Sequence, residues 1–276
     1  MTQPQPLPPQ ATLPVPLPPG RPVAGEEWGR REPYLWISDD AAPAGLWQQL
    51  HRAHPQTGLW PLLLVPLRED GEFRPWLSGE LSPEAASDPS YYDPAALLRS
   101  WWRGISTTGE DEDGDELFPE DAAELQEALA PYGPEWPGPA PAAVLPEGAA
   151  AGEARALADV LQGLRGPRLG LVGAASGAEA LVACGWRGPT NHEEDTAKIA
   201  AVLADWERRF GAQVVQVGFD TLDLSVAAPP TTPAEALRVA AEHTALCPDL
   251  VFQGTGALTA YAEELVGSHH WSFWWD

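Results

Sequence analysis

Two proline-rich segments divide this chain of 276 residues and restrict where it can form continuous helices and strands. Proline lacks a backbone N–H and has a fixed φ, so a dense run of it favours an extended polyproline conformation. One run lies in residues 1–25 and the other in residues 133–150. We therefore predict a disordered N-terminal arm over 1–25, an N-terminal α/β region over 26–132, a linker over 133–150 and a C-terminal domain over 151–276.

The C-terminal region has the clearest pattern of secondary structure. The segment TPAE at 232–235 is a capping box with proline in the first helical position, which predicts the start of a helix. Apolar residues at helical spacing predict another helix over 199–210. Strands are predicted to begin at Arg168, Gln213, Leu222 and Trp271. The predicted fold class is α+β, a mixed β-sheet covered by helices, with a smaller N-terminal α/β unit that can extend the same sheet.

The N-terminal region contains a short apolar run, LWPLLLVPL at 59–67, which predicts a buried strand. Pro61 and Pro66 place this strand near an edge of the sheet or at a bulge, because proline cannot donate to a ladder. Residues 73–81 are expected to pair back on it as a hairpin. The pair Asp93-Pro94 predicts the start of a helix, with aspartate as the cap and proline in the first turn.

The charge of the chain excludes several classes of partner. It carries 16 Lys and Arg against 40 Asp and Glu, a net charge of −24. Phosphate backbones and anionic membranes would be repelled, so neither a nucleic-acid partner nor a membrane partner is expected, whereas a basic protein would be attracted. An acidic run at 110–116 is predicted to be a solvated loop. A calcium site is the alternative for its D-x-D-G fragment, but the terminal glutamate of an EF-hand loop is missing.

Targeting signals are not recognised in the sequence. The first residues have no basic start and no continuous apolar stretch, unlike a secretory signal. The apolar run at 59–67 is about half of the ~20 residues that a membrane-spanning helix needs. Two cysteines, Cys184 and Cys247, do not make a disulfide framework. A cytoplasmic location is therefore expected.

A series of short motifs in the C-terminal region resembles a known family. The motifs are GWRG at 185–188, DWERRFGA at 205–212, VGFDTL at 217–222, AAEH at 240–243, CPD at 247–249 and WSFWWD at 271–276. In this order they are similar to the bacterial DUF4253 proteins, which carry a domain of unknown function, over about residues 165–276. The family has no assigned activity, so the resemblance implies the domain and not its chemistry.

Four polar residues, Glu242, His243, Cys247 and Asp249, are the candidates for a catalytic role. His243 and Cys247 are four residues apart on a helix, so they share a face, and imidazole and thiolate are both good zinc ligands. A four-coordinate site needs two more ligands, and no second pair of this kind exists, so no metal or cofactor is expected. A cysteine nucleophile with His243 as its base is an alternative, and so is a small buried Cys247 that ends the helix.

Helical carboxylates are a second source of candidate chemistry. Glu207 and Glu242 lie beside apolar neighbours, and burial would raise the pKa of a carboxyl group and suit it to acid–base work. We expect instead that each pairs with an arginine, such as Arg208, Arg209 or Arg238, at the surface.

Four further residues, Trp186, Asn191, Trp274 and Asp276, are the candidates for ligand binding. Indole rings can stack on sugars, bases or quaternary cations. Most of the 13 tryptophans are nevertheless expected in the core. Residues 271–276 are predicted to be a strand with aromatic side chains on both faces, sandwiched between two layers.

Two classes of function are compatible with these features. The one we expect is a module that binds another protein, favoured by the acidic charge, with neutralisation of a basic toxin as one concrete version. The alternative is an enzyme or a small-ligand-binding protein that uses a cleft around Glu242, His243 and Asp249. The sequence alone does not decide whether the protein is an enzyme.

Overall fold

The structure of the protein is a computed structural model that describes residues 13–24, 33–67, 72–107 and 122–276. The acidic run at 110–116, for which a solvated loop is predicted, lies outside the described residues.

One mixed sheet organises the described part of the chain. Its strands are β1 (Gly20–Val23), β2 (Leu35–Ala41), β3 (Leu59–Leu64), β4 (Arg168–Gly173), β5 (Gln213–Val217), β6 (Thr221–Ser225) and β7 (His270–Trp274). Their order across the sheet is β1-β2-β4-β3-β5-β6-β7. Neighbouring strands are antiparallel except β3 and β5, which are parallel. The predicted α+β class is therefore confirmed, and the strands predicted to begin at Gln213 and Leu222 form the antiparallel pair β5 and β6.

Helices cover both faces of this sheet. They are α1 (Leu46–Thr57), α2 (Pro94–Ile105), α3 (Ala122–Ala128), α4 (Ala149–Arg165), α5 (Gly177–Cys184), α6 (Thr196–Phe210), α7 (Pro233–Leu246) and α8 (Leu258–Leu265). A π-helical segment, Leu250–Thr255, joins α7 to α8. The predicted capping box is present, since the Thr232 hydroxyl accepts from Glu235 N, and the Asp93 carboxylate caps α2 as expected. Local capping thus sets where these helices begin.

The core has two parts, one on each face of the sheet. Leu46 and Trp47 of α1 and Leu157 of α4 pack on one face, while α5, α6, α7 and α8 pack on the other. The prediction that tryptophans fill the interior is confirmed. The buried ones are Trp36, Trp47, Trp60, Trp76, Trp102, Trp186, Trp206, Trp271 and Trp275.

The strand β3 lies in the centre of the sheet, so the prediction of an edge position is wrong. Gly58 O accepts a hydrogen bond from Ala174 N, and the register of β3 with β4 continues from this pair. Backbone groups alternate in direction along a strand, so every second residue from Gly58 onward directs its N–H and C=O toward β4. The backbone of Pro61 therefore faces β5. Pairing with β5 is registered only at Leu63 and Leu64. The missing N–H of Pro61 therefore falls where no ladder bond is required.

The hairpin predicted for residues 73–81 is also wrong. This segment consists of turns, and Phe73 has a positive φ of 53°, which does not suit a strand. Its Trp76 is buried and donates its indole N–H to Val65 O at 2.9 Å. The apolar residues that suggested a strand therefore anchor a turn-rich segment on the core.

The proline-rich segments contribute to the packing. Within residues 13–24, β1 pairs with β2, and Leu13 and Val15 pack on the core beside α1 and α4. In the predicted linker, Ala140 is buried, and Ala143 N donates to Arg209 O at 2.9 Å. Apolar residues between the prolines provide the contacts.

Candidate functional site

The Glu242 carboxylate lies at the centre of a buried polar network. It accepts hydrogen bonds from Ala140 N at 2.6 Å and from Trp206 Nε1 at 2.6 Å. Arg209 donates to both of its oxygens, from Nη1 at 3.0 Å and from Nη2 at 2.5 Å. The predicted pairing with Arg209 is thus present, but it is inside the protein and not at the surface, since Glu242 is 0% exposed.

Arg209 connects this network to the rest of α6 and to the second proline-rich segment, residues 133–150. Its Nε donates to Asp205 Oδ2 at 2.6 Å, and its Nη1 also donates to Ala140 O at 2.8 Å. Burial alone would lower the pKa of Arg209, but the hydrogen bond and charge of Glu242, together with Asp205, raise it. The Arg209 guanidinium therefore stays charged. The Glu242 carboxylate has its acceptor positions filled by protein groups, which leaves no free oxygen for acid–base work.

His243 is enclosed by aromatic rings and lies away from solvent. Its ring centroid is 4.4 Å from that of Trp271 and 4.8 Å from that of Trp206, and its Nδ1 is hydrogen-bonded to Tyr261 Oη at 2.9 Å. Burial and the nearby charge of Arg209 lower the pKa of His243 well below its usual value of 6.5. The imidazole is therefore neutral at physiological pH.

Cys247 ends α7, and its backbone N–H donates to His243 O at 2.7 Å, but its thiol is not hydrogen-bonded to the His243 ring. Its Sγ donates to Trp274 O at 2.9 Å, and burial raises the pKa of the thiol far above its ordinary value. A protonated, enclosed thiol is a poor nucleophile and a poor metal ligand. Within residues 13–24, 33–67, 72–107 and 122–276, no three His, Cys, Asp or Glu side chains are grouped in a way that could hold a metal ion.

Three other candidates meet at the surface around residue 276. Asp276 N donates to Asp249 Oδ2 at 3.1 Å, and Asn191 Nδ2 donates to Asp276 O at 3.1 Å. Trp186 lies beneath them, fully buried, and packs edge-on against Trp275 with ring centroids 5.8 Å apart. These contacts hold the last residues against the loop that precedes α6.

A cleft of about 330 Å³ lies beside β7, between that strand, α8 and the π-helical segment. Trp274 lines it and is the one sequence-predicted candidate that does so. Tyr261, Glu264, His270 and Ser272 line it as well. We refer to it below as the edge cleft, because β7 is the last strand of the sheet.

A second polar group, which was not predicted from the sequence, lies next to the edge cleft. His270 Nε2 lies 2.8 Å from Asp223 Oδ1, and Gln216 Nε2 donates to Asp223 Oδ2 at 2.8 Å. The alternation of Asp223 with apolar neighbours in β6 was a signal of its orientation. Its partner could not be found, because the β6–β7 register joins residues 47 positions apart.

The predicted site residues therefore do not surround one cleft. Glu242, His243 and Cys247 are buried, Asp249 is in the contacts around residue 276, and Trp274 faces the edge cleft. The strand β7 is also not sandwiched between layers as expected. One face, with Trp271 and Phe273, is buried, and the other is open to solvent, because the helix α4 covers only part of that side.

These features describe an α+β fold in which the motif residues of the C-terminal part build the core network and the last strand. Residues 168–276 match the family described as Domain of unknown function (DUF4253), which confirms the resemblance for that part. No curated protein and no solved structure gives a significant match to the chain. In the described residues, the helices are too short or too polar to cross a membrane.

Proposed function

We propose that the protein is an interaction module that binds a basic partner protein. The observation that carries this proposal is the net charge of −24 on a folded chain of this size. Such a charge produces a field that attracts cationic surfaces, accelerates their association and repels anionic ones.

The distribution of cations supports the proposal. Several of them are already engaged with carboxylates, so they do not offset the acidic surface elsewhere. Lys198 pairs with Glu193 at 2.8 Å, and Arg208 pairs with Asp205 at 2.6 Å. The exposed acidic residues of the described surface include Glu124, Glu127, Glu135, Glu147, Glu263 and Glu264.

The state of the candidate catalytic residues favours binding over catalysis. Glu242 has its oxygens filled by protein donors, His243 is neutral and enclosed, and Cys247 holds its proton. An enzyme needs such groups at a surface that a substrate can reach. The alternative function, with a cleft around Glu242, His243 and Asp249, receives no support from their placement.

The test is affinity purification with the full chain, followed by binding measurements with each isolated partner. We expect a basic protein whose affinity falls steeply between about 50 mM and 500 mM salt, because screening weakens the attraction. If the purification returns only background, or if the isolated partners are acidic and insensitive to salt, the proposal is wrong.

Neutralisation of a basic toxin is the more specific form of this proposal. A basic nuclease presents a cationic surface to its substrate, and an acidic protein that covers this surface would block the reaction. When the isolated partner is a nuclease, we expect stoichiometric inhibition by the full chain. A partner that stays fully active in the complex would limit the function to binding.

A further inference from the structure

The two edges of the sheet differ in their protection against an added strand. The strand β1 is short, contains Pro22 and follows a proline-rich segment, features that discourage pairing with another chain. The strand β7 has the sequence HWSFW, with no proline, lysine or carboxylate. The edge at β7 is therefore the one that can accept a further strand.

The direction of the backbone groups of β7 follows from the contacts at its two ends. Val226 N donates to His269 O at 2.9 Å, and Trp275 N donates to Asp220 O at 3.0 Å, so residues 269 and 275 face β6. Backbone groups alternate in direction along a strand. His270, Ser272 and Trp274 therefore direct their N–H and C=O groups away from the sheet.

Two of these outward carbonyls already have partners. Ser268 Oγ donates to His270 O at 2.8 Å, and Cys247 Sγ donates to Trp274 O at 2.9 Å. Within the described residues, the N–H and C=O of Ser272 have no partner, and Ser272 is exposed. The middle of β7 thus offers one donor and one acceptor, the pair that an antiparallel strand would use.

The edge cleft provides side-chain contacts beside these backbone groups. Glu264 lines it with an exposed side chain, and Trp274 lines it with a half-buried indole. Trp271, which also lines it, has an indole nitrogen without a hydrogen-bond partner, although the residue is 1% exposed. An extended chain along β7 could place alternate side chains in the cleft, where a cationic one would meet Glu264.

We propose that the edge of β7 binds an extended basic segment of the partner protein as an additional antiparallel strand. This inference rests on the proposed function, and it specifies where and how the partner binds. A second copy of the chain is the other occupant to consider, but two chains that each carry −24 repel one another.

The first experiment uses the full chain and a peptide of about ten residues in which lysine and valine alternate. Calorimetry measures its affinity in comparison with two controls, a glutamate–valine peptide and a lysine–valine peptide N-methylated at its central residues. The methylated peptide keeps its charge but cannot donate backbone hydrogen bonds from its central residues. We expect the unmodified basic peptide to bind about tenfold more tightly than the methylated one, and the acidic peptide not to bind.

The second experiment changes the protein. Ser272→Pro removes the outward N–H without breaking a bond to β6, and we expect it to weaken binding of the basic peptide about tenfold, whereas Ser272→Ala keeps the N–H and the affinity. Glu264→Lys and Glu263→Lys change the net charge equally, but only Glu264 lines the edge cleft. We expect Glu264→Lys to weaken binding about fivefold more than its neighbour does. This pair gives the answer if Ser272→Pro does not fold.

The outcomes separate the inference from the proposed function. Equal binding of the methylated and unmodified peptides, or equal effects of Glu264→Lys and Glu263→Lys, would overturn strand addition while binding of basic partners stands. Strand addition is also overturned if a basic partner binds in a salt-sensitive way but is not displaced by the basic peptide. If affinity purification isolates no basic partner, both the inference and the proposed function are wrong. Dimerisation of the full chain that Ser272→Pro abolishes would assign the edge to a second copy and overturn the basic occupant.

Discussion

Glu242 shows how a charged side chain can be kept inside this protein. Removing a carboxylate from water is costly, and the cost is offset only when its lone pairs are satisfied. Here Arg209, the Trp206 indole and Ala140 N supply the donors. The network joins α6, α7 and the proline-rich segment of residues 133–150, so it also fixes how these three parts pack against one another.

We expect Glu242→Gln to lower the free energy of unfolding by about 3 kcal/mol, because it leaves the buried Arg209 charge without its main partner. Urea denaturation of the full chain measures this. Glu263→Gln makes the same chemical change at an exposed position and should stay within about 0.5 kcal/mol of wild type. Equal stability of the two variants would show that the buried ion pair contributes nothing.

His243 makes stability depend on pH in a defined direction. The folded protein holds it neutral, since burial lowers its pKa well below 6.5, whereas the unfolded chain protonates it near about 6.5. The unfolded state therefore binds more protons in acid, and stability should fall as the pH drops below about 6.5. His51, with a pKa lowered to about 4 by burial, contributes in the same direction.

The test compares urea denaturation between about pH 7.5 and pH 5 for wild type and His243→Asn. Removing one titrating group should reduce the slope of unfolding free energy against pH, whatever the change in absolute stability. An unchanged slope would contradict the neutral, buried state of His243.

At the scale of elements, capping and strand register position the motif residues. The capping box at Thr232 sets the start of α7, and on this helix Glu242 contacts Arg209 and His243 contacts Tyr261. The register of β6 with β7 places Asp223 beside His270 and leaves the backbone of Ser272 at the free edge.

We expect Thr232→Ala to lower the free energy of unfolding by about 1 kcal/mol, because the hydroxyl that accepts from Glu235 N is lost. Thr232→Ser keeps a capping hydroxyl and should retain most of the stability. Denaturant titrations of both variants provide the measurement. If the serine and alanine variants lost stability equally, capping would not be the cause.

At the scale of the whole molecule, the chain order does not follow the sheet order. The strand β4 pairs with β2 and β3, and β3 separates β4 from β5. The strands that precede residue 150 therefore complete the sheet of the C-terminal region. The segment matched to the family, 168–276, contains β4 to β7 but lacks the strand between β4 and β5.

We predict that a fragment of residues 151–276 does not unfold cooperatively, because the interior of its sheet lacks β3 and the apolar faces beside it are exposed. Near-ultraviolet circular dichroism during a urea titration, with the full chain as the control, provides the test. A sharp transition from the fragment alone would show that the C-terminal region is an independent domain.

Several features of this protein followed from local physics and could be predicted. The capping box at Thr232, the Asp93 cap and the helix over 199–210 depend on neighbouring residues, so the sequence alone indicated them. The burial of the tryptophans and the pairing of Glu242 with an arginine followed from side-chain chemistry. The net charge, which carries the proposed function, is a property of the composition.

Tertiary structure alone decided the rest, because it depends on contacts between residues far apart in the chain. Pro61 fits in a central strand because its nitrogen, which carries no hydrogen, faces β5 before the pairing of β3 with β5 begins at Leu63. Glu242 became a core residue because Ala140, 102 positions away, completes its hydrogen bonds. Similarly, Ser272 acquired an open backbone edge only when β7 became the last strand of the sheet. Long-range pairing is not encoded in any single segment, so no local pattern could reveal it.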